Sequence, residues 1–427
     1  MLHNMSIESM HWEEVAWQDM LEPRYAQAWD RLVEVVGDVP VFRRRPWVEM
    51  LQKHGIAHPW RLVLVWRDER PIALFPLFRS THWQVNYLDM HAWSEGHYLI
   101  DPAEETAAWN ELMEWFSVSG VSLLSMSLCV DPATIARFED AGRAHGLIPC
   151  SQDVNSAARA TLPRNWQRFE RTRVCRVAPA EHLEQPQSWE EFESRLDKQT
   201  VTAVRKVERR LFQDYPDAQL TLTTGASPDR EQVLRDFIAF HRARWQSHWA
   251  QSIFEEPREL AFFLEMMQQA FAEDSTAISS VRVRGRLVAA AIAHHAPGET
   301  ACHCYHSLRD LNALPNRYAV GFLVLKQLVC WGIQHGASVT DMAYGFMEES
   351  KSMQGRDLAP TWELLVARSP FAARYLLPLN WLTLNLRYPL RLQLRRIRYH
   401  LAQFFHERKQ RARRPANESG SEHSRNE

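Results

Sequence analysis

The sequence of 427 residues predicts a mixed α/β (α+β) fold made of two consecutive halves of similar layout. Short apolar runs alternate with amphipathic stretches of helical period along most of the chain, which indicates alternating strands and helices. The second half repeats the order of elements of the first, with little identity between the two. A chain of this length is long enough for two domains, each with its own core.

The first half opens with apolar side chains at helical spacing, so we expect residues 1–40 to be helical. Residues 61–78, RLVLVWRDERPIALFPLF, consist of two apolar runs around an Asp-Glu-Arg turn, which predicts a β-hairpin. The further elements predicted here are a strand over 83–88, a helix over 107–116, a buried strand over 121–128 and a helix over 131–145.

The second half begins with a long basic helix predicted over 189–212 and continues with two helices over 229–249 and 257–271. Three strands follow, over 278–283, 285–295 and 300–306. Gly285 lies in the turn RVRGRLV between the first two, where a positive φ suits a tight hairpin. A helix over 319–334 and a strand over 338–342 complete the predicted layout.

The net charge of −2 is unevenly distributed along the chain. Residues 387–414 contain ten Lys or Arg against the single acid Glu407, a net charge of +9, so the rest of the chain is acidic. This segment predicts a basic amphipathic helix, which either lies on an anionic membrane surface or packs its apolar side on the acidic body. The body itself is a poor partner for nucleic acid.

Cysteine usage and apolar runs bear on the compartment. The six cysteines form no CxxC pair, and Cys302 and Cys304 are spaced too tightly for a usual zinc site, so no metal is expected. The chain start lacks the basic and apolar regions of a secretory signal, and no apolar run is long enough to span a bilayer. We therefore expect a cytoplasmic protein, with peripheral contact to the inner membrane through 386–414 as an option.

Residues 305–355 are the part most informative about chemistry. A strand ends at Tyr305 and His306, and a loop then leads into an apolar helix that Gly336 closes. Backbone N–H groups at such a helix start, beside a strand end, favour a phosphate or carboxylate. The next strand ends at Asp341 and is followed by Gly345, two glutamates and a lysine, which reach the same edge.

These residues resemble the CelD-type acyltransferases, a FemAB-like branch of the GNAT superfamily found beside exopolysaccharide genes. The matching features are a Tyr-rich strand, a loop before a helix, and Asp341 with Gly345 and a nearby lysine. FHRARW at 240–245 is similar to the family's His-x-x-Arg-Trp helix, and 40–51 and 62–80 resemble its N-terminal half. The sequence departs from the family at Met342, where the pattern has Phe. NRYAVGF also lacks the phosphate-loop consensus of ordinary GNAT enzymes.

The resemblance implies tandem GNAT-like domains, each a mixed, mostly antiparallel sheet flanked by helices. It divides the chain into a degenerate domain over 1–165, a catalytic domain over 166–368, the basic helical extension over 369–414 and a disordered tail over 415–427. It implies transfer of an acetyl or other acyl group from acyl-CoA to an amino or hydroxyl group of a sugar or peptide-like acceptor, in polysaccharide or cell-envelope synthesis.

The residues to which the resemblance assigns roles fall into three groups. The predicted catalytic residues are Glu348, Lys351, Asp341, Tyr305 and His306. The predicted donor-binding residues are Asn316, Arg317, Tyr318 and Gly321. The predicted acceptor-binding residues are His241, Arg244, Trp245 and Glu349. Each also has a structural interpretation, such as a histidine bonded to the backbone, a core tryptophan or a solvated loop charge.

Two other functions stay open at this point. One is a FemAB-type transfer from aminoacyl-tRNA, for which the basic helical stretch 198–210 would be the binding surface. The other is a non-catalytic GNAT scaffold at a membrane-bound synthase, which the missing phosphate-loop consensus favours. Motifs of serine hydrolases, zinc peptidases, dinucleotide-binding proteins and P-loop proteins do not occur in the sequence.

Overall fold

A computed structural model describes most of the two predicted halves. The residues it describes are 9–56, 61–79, 84–87, 98–129, 132–149, 152–153, 188–195, 198–246, 252–299, 301–310, 313–314, 318, 320–337, 339–341 and 362–376. The predicted site residues Asn316, Arg317, Glu348, Glu349 and Lys351 lie outside them, as do the basic segment and the tail after residue 376.

The first sheet has nine strands in the order β1-β2-β3-β4-β6-β14-β7, with β5 paired to β3 and β8 paired to β14. Its strands are β1 Met10–Ala16, β2 Arg61–Arg67, β3 Arg70–Arg79, β4 Gln84–Tyr87, β5 Leu99–Ile100, β6 Leu123–Cys129, β7 Ile148–Pro149, β8 Gln152–Asp153 and β14 Trp362–Ala367. The predicted hairpin over 61–78 is confirmed as β2 and β3, which pair antiparallel. β4 and β6 pair parallel, on either side of a helical crossover.

Four helices cover the two faces of this sheet: α1 Pro23–Val36, α2 Arg45–Lys53, α3 Glu105–Val118 and α4 Pro132–Ala144. Alternate residues of β2 explain the two layers. Leu62 and Leu64 pack with α1 and α2, whereas Val63 and Val65 pack with α3 and α4. Trp109 of α3 is fully buried in the second of these layers.

The second sheet has five strands in the order β13-β12-β11-β10-β9. They are β9 Gln219–Thr223, β10 Thr276–Val283, β11 Arg286–His294, β12 Ala301–Arg309 and β13 Val339–Asp341. β9 to β12 are antiparallel, and β13 pairs parallel with β12. The tight turn predicted between β10 and β11 is present, with positive φ at Arg284 (53°) and Gly285 (72°).

The helices of the second half are α5 Trp189–Arg195, α6 Lys198–Asp214, α7 Arg230–Gln246, α8 Pro257–Ala272 and α9 Val320–Gln334. α7 and α8 cover one face of the second sheet, while α6 and α9 cover the other. Gly332 lets α9 approach β12 closely, because a Cβ there would come within 3.0 Å of the Cβ of Cys302. The helix next to the predicted site is therefore held tightly against the strand that carries it.

The order strand, two helices, several strands, helix, parallel strand occurs once in each half, with four middle strands (β2 to β5) in the first half and three (β10 to β12) in the second. In the first it runs from β1 through α3 to β6, and in the second from β9 through α9 to β13. The repeated layout expected from the sequence is thus confirmed.

Two sequence expectations are corrected. Residues 1–40 are not helical throughout, because MHWEEVA forms the edge strand β1 and the helix begins only at Pro23. The alternation in this strand, with Val15 buried, is a two-residue period that pairs with β2. The helix predicted over 189–212 is two helices, α5 and α6.

The two halves share one core, in which α1 and α2 meet α7 and α8. Trp47 of α2 packs edge-on against Phe262 of α8, with ring centroids 5.3 Å apart. The halves are also joined by strand pairing, since β14 follows the second sheet in the chain and pairs with β6 of the first. The last strand of the range predicted for the second domain therefore lies in the first sheet.

Candidate functional site

β12 and β13 run together for only part of their length. Their parallel pairing joins Ala301 with Val339, Cys302 with Thr340 and His303 with Asp341. β12 then continues to Arg309 along β11, whereas β13 ends at Asp341. Within the described residues, β13 therefore pairs with β12 only as far as His303.

A β-bulge in β12 lies within this stretch. Ile292 of β11 pairs with His306, but the next residue, Ala293, pairs with Cys304, so Tyr305 is the extra residue. A bulge re-aims the side chains on either side of it. Cys304 faces the layer of α9, while His306 faces α7 and α8. Tyr305 and His306, two of the predicted catalytic residues, thus lie at the bulge of β12.

The side chain of His306 is partly buried among four aromatic rings. Its ring centroid lies 6.0 Å from those of Phe237, Phe254 and Phe263, and 5.6 Å from that of His241. This packing limits the orientations of the imidazole. A histidine held in this way is a candidate for proton transfer.

His241 is 3% exposed, and both of its ring nitrogens are engaged. Nε2 accepts a hydrogen bond from Trp245 Nε1 at 2.9 Å, and Nδ1 lies 2.8 Å from Ser252 Oγ. Because Nε2 accepts, the proton of the neutral ring is on Nδ1. Burial lowers the pKa of His241 to about 4. The structure thus favours a positioning role for His241 over the predicted contact with an acceptor, since it holds Trp245 at the surface.

A cleft of about 440 Å³ lies between α7 and the ends of three strands. Phe240 and Leu287 supply apolar lining, and Arg244 of α7, one of the predicted acceptor-binding residues, also lines the cleft. Its other charged side chains form two ion pairs, Asp236 with Arg282 and Asp310 with Arg286. Arg244 is half-buried, and this burial lowers the pKa of its guanidinium.

Arg309, the last residue of β12, lies at the beginning of α9. Its Cδ would be 3.6 Å from a Cβ placed on Gly321, in the first turn of that helix. Arg309 also acts electrostatically on Arg244, whose pKa it lowers, so the helix start and the cleft are neighbours. A cation beside a helix N-terminus strengthens the preference of that end for anions.

Sequence analysis did not identify Arg309, although it lies three residues after His306. It also missed Arg282, Arg286 and Asp310 of the cleft. These residues lie at strand ends, and only the order of strands in the sheet brings them to α7.

The side chain of Tyr318 is buried, so it is not available for the predicted contact with the donor. Its side chain is 1% exposed, its hydroxyl donates to Asp214 Oδ2 at 2.7 Å, and its ring packs against Tyr215. A contact from this side chain to a donor phosphate is therefore not supported. Gly321 does lie in the first turn of α9, and Asp341 ends β13 beside His303, as predicted.

Two further histidines on the α7 and α8 face have a structural setting. The rings of His294 and His303 pack against Phe42 of the first half, at 6.2 and 5.3 Å. Burial lowers the pKa of His294 to about 3, so this histidine is neutral near pH 7. Beside them, buried Glu299 accepts a hydrogen bond from Ala296 N–H at 2.9 Å. These groups fasten the first half to the strand that carries the candidate site.

The comparisons with known proteins agree with this geometry. Residues 198–349 match the family model of the acetyltransferase (GNAT) domain. The matched range contains β12, the cleft and α9. The second half is therefore an acyltransferase domain of GNAT fold, and the predicted fold class and enzyme class are confirmed. The match covers less than half of the chain, and no curated protein matches the sequence.

Solved structures similar to the chain have low identity. L-PGS from Bacillus licheniformis is 11% identical with a TM-score of 0.47, over 84% of this chain and 95% of that one. FemX is 10% identical with a TM-score of 0.46, over 82% and 98%. A tandem GNAT protein from the clavulanic acid biosynthesis pathway is 10% identical with a TM-score of 0.42, over 85% and 99%. None reaches a TM-score of 0.5, so the assignment rests on the matched domain.

The described residues bear on two further expectations. They contain no cluster of three or more His, Cys, Asp or Glu side chains suited to a metal ion. None of their helices combines the length and the apolar content that crossing a bilayer needs.

Proposed function

We propose that this protein transfers an acetyl or other acyl group from acyl-CoA to an amino or hydroxyl group of a sugar or peptide-like acceptor. The observation that best supports this is the match of residues 198–349 to the acetyltransferase (GNAT) domain, since this range contains β12, His306 and the start of α9. We place the thioester donor along β12 beyond His303, with its phosphates toward the helix start. The setting we propose is polysaccharide or cell-envelope synthesis, as in the CelD-type enzymes that the sequence resembles.

The reaction joins the acceptor nitrogen or oxygen to the carbonyl carbon of the thioester. The carbonyl oxygen becomes an oxyanion, and backbone N–H groups at the edge of β12 are suited to stabilise it. The carbon–sulfur bond then breaks, the acceptor proton passes to a base, and the sulfur leaves as a thiol after taking up a proton. We assign His306 as the base among the described residues, with Glu348 or Glu349 as the alternative in the adjoining segment.

The donor phosphates are assigned to the start of α9, with Arg309 and Gly321 as the described contacts. Asn316 and Arg317 remain predicted contacts in the loop before it. An arginine offers a phosphate two parallel hydrogen bonds, which a glutamine in its place cannot reproduce. Arg309 is therefore the residue whose replacement tests this part of the proposal.

Calorimetry with acetyl-CoA and free CoA tests the donor. We expect micromolar binding, weakened about ten-fold in Arg309→Gln because one charge-assisted contact is lost. Arg235→Gln is the matched control, since Arg235 lies on α7 and forms an exposed ion pair with Glu231. Absence of binding at millimolar CoA would exclude an acyl-CoA donor. The aminoacyl-tRNA and scaffold functions would then be the ones to examine.

Transfer from aminoacyl-tRNA would use the arginines of α6. Arg205 is paired with Glu193 at 2.7 Å, and Glu208 of the same helix is paired with Lys326 at 2.7 Å. The helix thus carries charges of both signs, which does not favour strong phosphate binding. This observation ranks the tRNA function below the acyl-CoA function.

We also propose peripheral contact with the inner membrane through the segment 386–414. The described chain leads to this segment with an exposed aromatic pair, Phe371 (63% exposed) and Tyr375 (54%), and Arg374 lies against the Tyr375 ring. Aromatic and basic side chains together suit an anionic lipid surface. The wild-type protein should float with anionic vesicles, whereas the double variant Phe371→Ser/Tyr375→Ser should not. Equal recovery with zwitterionic vesicles would contradict the proposal.

A further inference from the structure

We infer that the cleft beside α7 binds a phosphate group carried by the acceptor. The inference rests on the proposed function, because it names the class of acceptor for the same reaction. The cleft contains most of the charged residues that sequence reasoning did not find. Its geometry, its charge and its side of the sheet support this assignment.

The geometry places three guanidinium groups around one cavity. Arg244 comes from α7, Arg282 from the end of β10 and Arg286 from the start of β11. Arg282 is held by Asp236 and also donates to Gly285 O at 3.4 Å, while Arg286 Nη2 lies 2.5 Å from Asp310 Oδ2. Because carboxylates hold two of the three, their donors are oriented before any ligand arrives.

The charge of the cleft favours an anion. Its lining contains the three arginines and two carboxylates, and Arg309 acts on it electrostatically from the end of β12. Arg244 is half-buried, and this burial lowers its pKa. A charge that has lost part of its hydration gains more from an anionic partner than an exposed one does. The three guanidinium groups outnumber the two carboxylates that line the cleft, and together they suit the several oxygens of a phosphate.

The proposed donor site and the cleft lie on opposite faces of the sheet and adjoin at Arg309. Cys302 and Cys304 of β12 face α9, at whose start we place the donor phosphates, whereas His306 faces α7 and α8. The cleft lies along α7, the helix whose inner residues Phe237 and His241 contact His306. An acceptor anchored in the cleft therefore approaches β12 from the side of the proposed base.

A pair of amino sugars that differ by one phosphate tests the inference. Binding of glucosamine 6-phosphate and of glucosamine is measured by calorimetry on the full-length protein, with and without saturating CoA. We expect the phosphorylated sugar to bind about ten-fold more tightly, as a charge-assisted contact predicts. Arg244→Gln should remove most of this difference, and Arg286→Gln a smaller part, because Arg286 is more exposed.

Arg235→Gln serves again as the control and should keep the full preference for the phosphorylated sugar. Circular dichroism and thermal melting establish that each variant is folded. Equal binding of the two sugars by the wild-type protein, including no binding of either, would overturn the inference. An unchanged preference in Arg244→Gln would also overturn it. A parallel loss of CoA affinity in Arg244→Gln would reassign the cleft to the donor and overturn it likewise.

The two proposals fail in different ways. If CoA does not bind but the sugars are still discriminated through Arg244, the acyl-CoA function is wrong and the phosphate site stands. If CoA binds and the sugars are not discriminated, the proposed function stands and the acceptor is recognised by other chemistry.

Discussion

The two halves of the chain place a helix at corresponding positions, but the charges at the two helix starts are opposite. At the start of α3, in the first half, Glu104 is paired with Arg67 and Arg70, and Glu105 accepts a hydrogen bond from Trp109 Nε1 at 3.2 Å. At the start of α9, in the second half, Arg309 is a neighbouring charged side chain among the described residues. The protein's own carboxylates therefore lie at the start of α3, whereas a cation lies at the start of α9.

This difference separates a structural half from a functional one. Carboxylates at a helix N-terminus interact favourably with the helix dipole, so they stabilise the fold and repel an anionic ligand. A helix start beside an arginine leaves that preference available to a phosphate. We infer that the first half supports the fold, while the second offers the binding site.

The largest expected effect comes from the core of the first half. Trp109→Ala removes a fully buried indole packed edge-on against Phe138, with ring centroids 5.6 Å apart, and should lower the free energy of unfolding by about 3–5 kcal/mol. Urea denaturation measures this loss. In the fraction that remains folded, the Kd for CoA should be unchanged. A weaker CoA affinity there would show that the first half takes part in binding.

A smaller effect is expected from acid, and it should concentrate in the second half. The pKa of His241 is lowered to about 4 in the folded protein from its ordinary 6.5, so the unfolded chain binds a proton more readily. The resulting stability is present above pH 6.5 and is lost as the pH falls toward 4, by about 3 kcal/mol at most. His294, with a pKa of about 3, acts in the same direction.

Denaturation at several pH values compares the wild-type protein with His241→Gln. The variant should be less stable at neutral pH and lose less stability between pH 6.5 and pH 4. Hydrogen exchange locates the effect and should report earlier opening of α7 than of α3 as the pH falls. Parallel pH curves for the two proteins would rule out His241 as the group responsible.

The smallest effect concerns the acidic helix start itself. Glu105→Gln keeps the shape of the side chain but removes its charge, which is paired with Arg137. We expect a loss of about 1 kcal/mol in the free energy of unfolding, since the helix dipole and a partly exposed ion pair each contribute modestly. Thermal melting measures the change, and Glu139→Gln on α4 is a control with a more exposed arginine partner. A gain in stability would contradict the structural role of this carboxylate.

Local patterns predicted the parts of the fold that neighbouring residues determine. The hairpin of β2 and β3, the turn at Gly285 and the apolar helix α9 all follow from periodicity or turn chemistry over short stretches. The strand β1 was missed because its mixed side chains reveal their two-residue period only against β2. The break between α5 and α6 was missed for a related reason, since the charged side chains around it suit a helix equally well.

Site residues that are close together in sequence were predicted, whereas those that only the fold brings together were not. Arg244 and Trp245 share one helical turn, and Gly321 follows the loop in sequence, so a motif could find them. The cleft arginines come from the ends of separate strands, and a single sequence carries no record of strand order. The inward turn of Tyr318 depends on Asp214, which is distant in sequence.

The pairing of β14 with β6 has a consequence for how the protein is made. During synthesis the ribosome releases β6 well before β14, with the whole of the second sheet between them. Domains generally fold as their segments emerge. Here the sheet that begins first cannot be completed until residue 367 has been translated. Until then the side of β6 that β14 will cover is a strand edge open to wrong pairing. A stop codon just after β13 would therefore damage the opposite half of the molecule from the one it truncates.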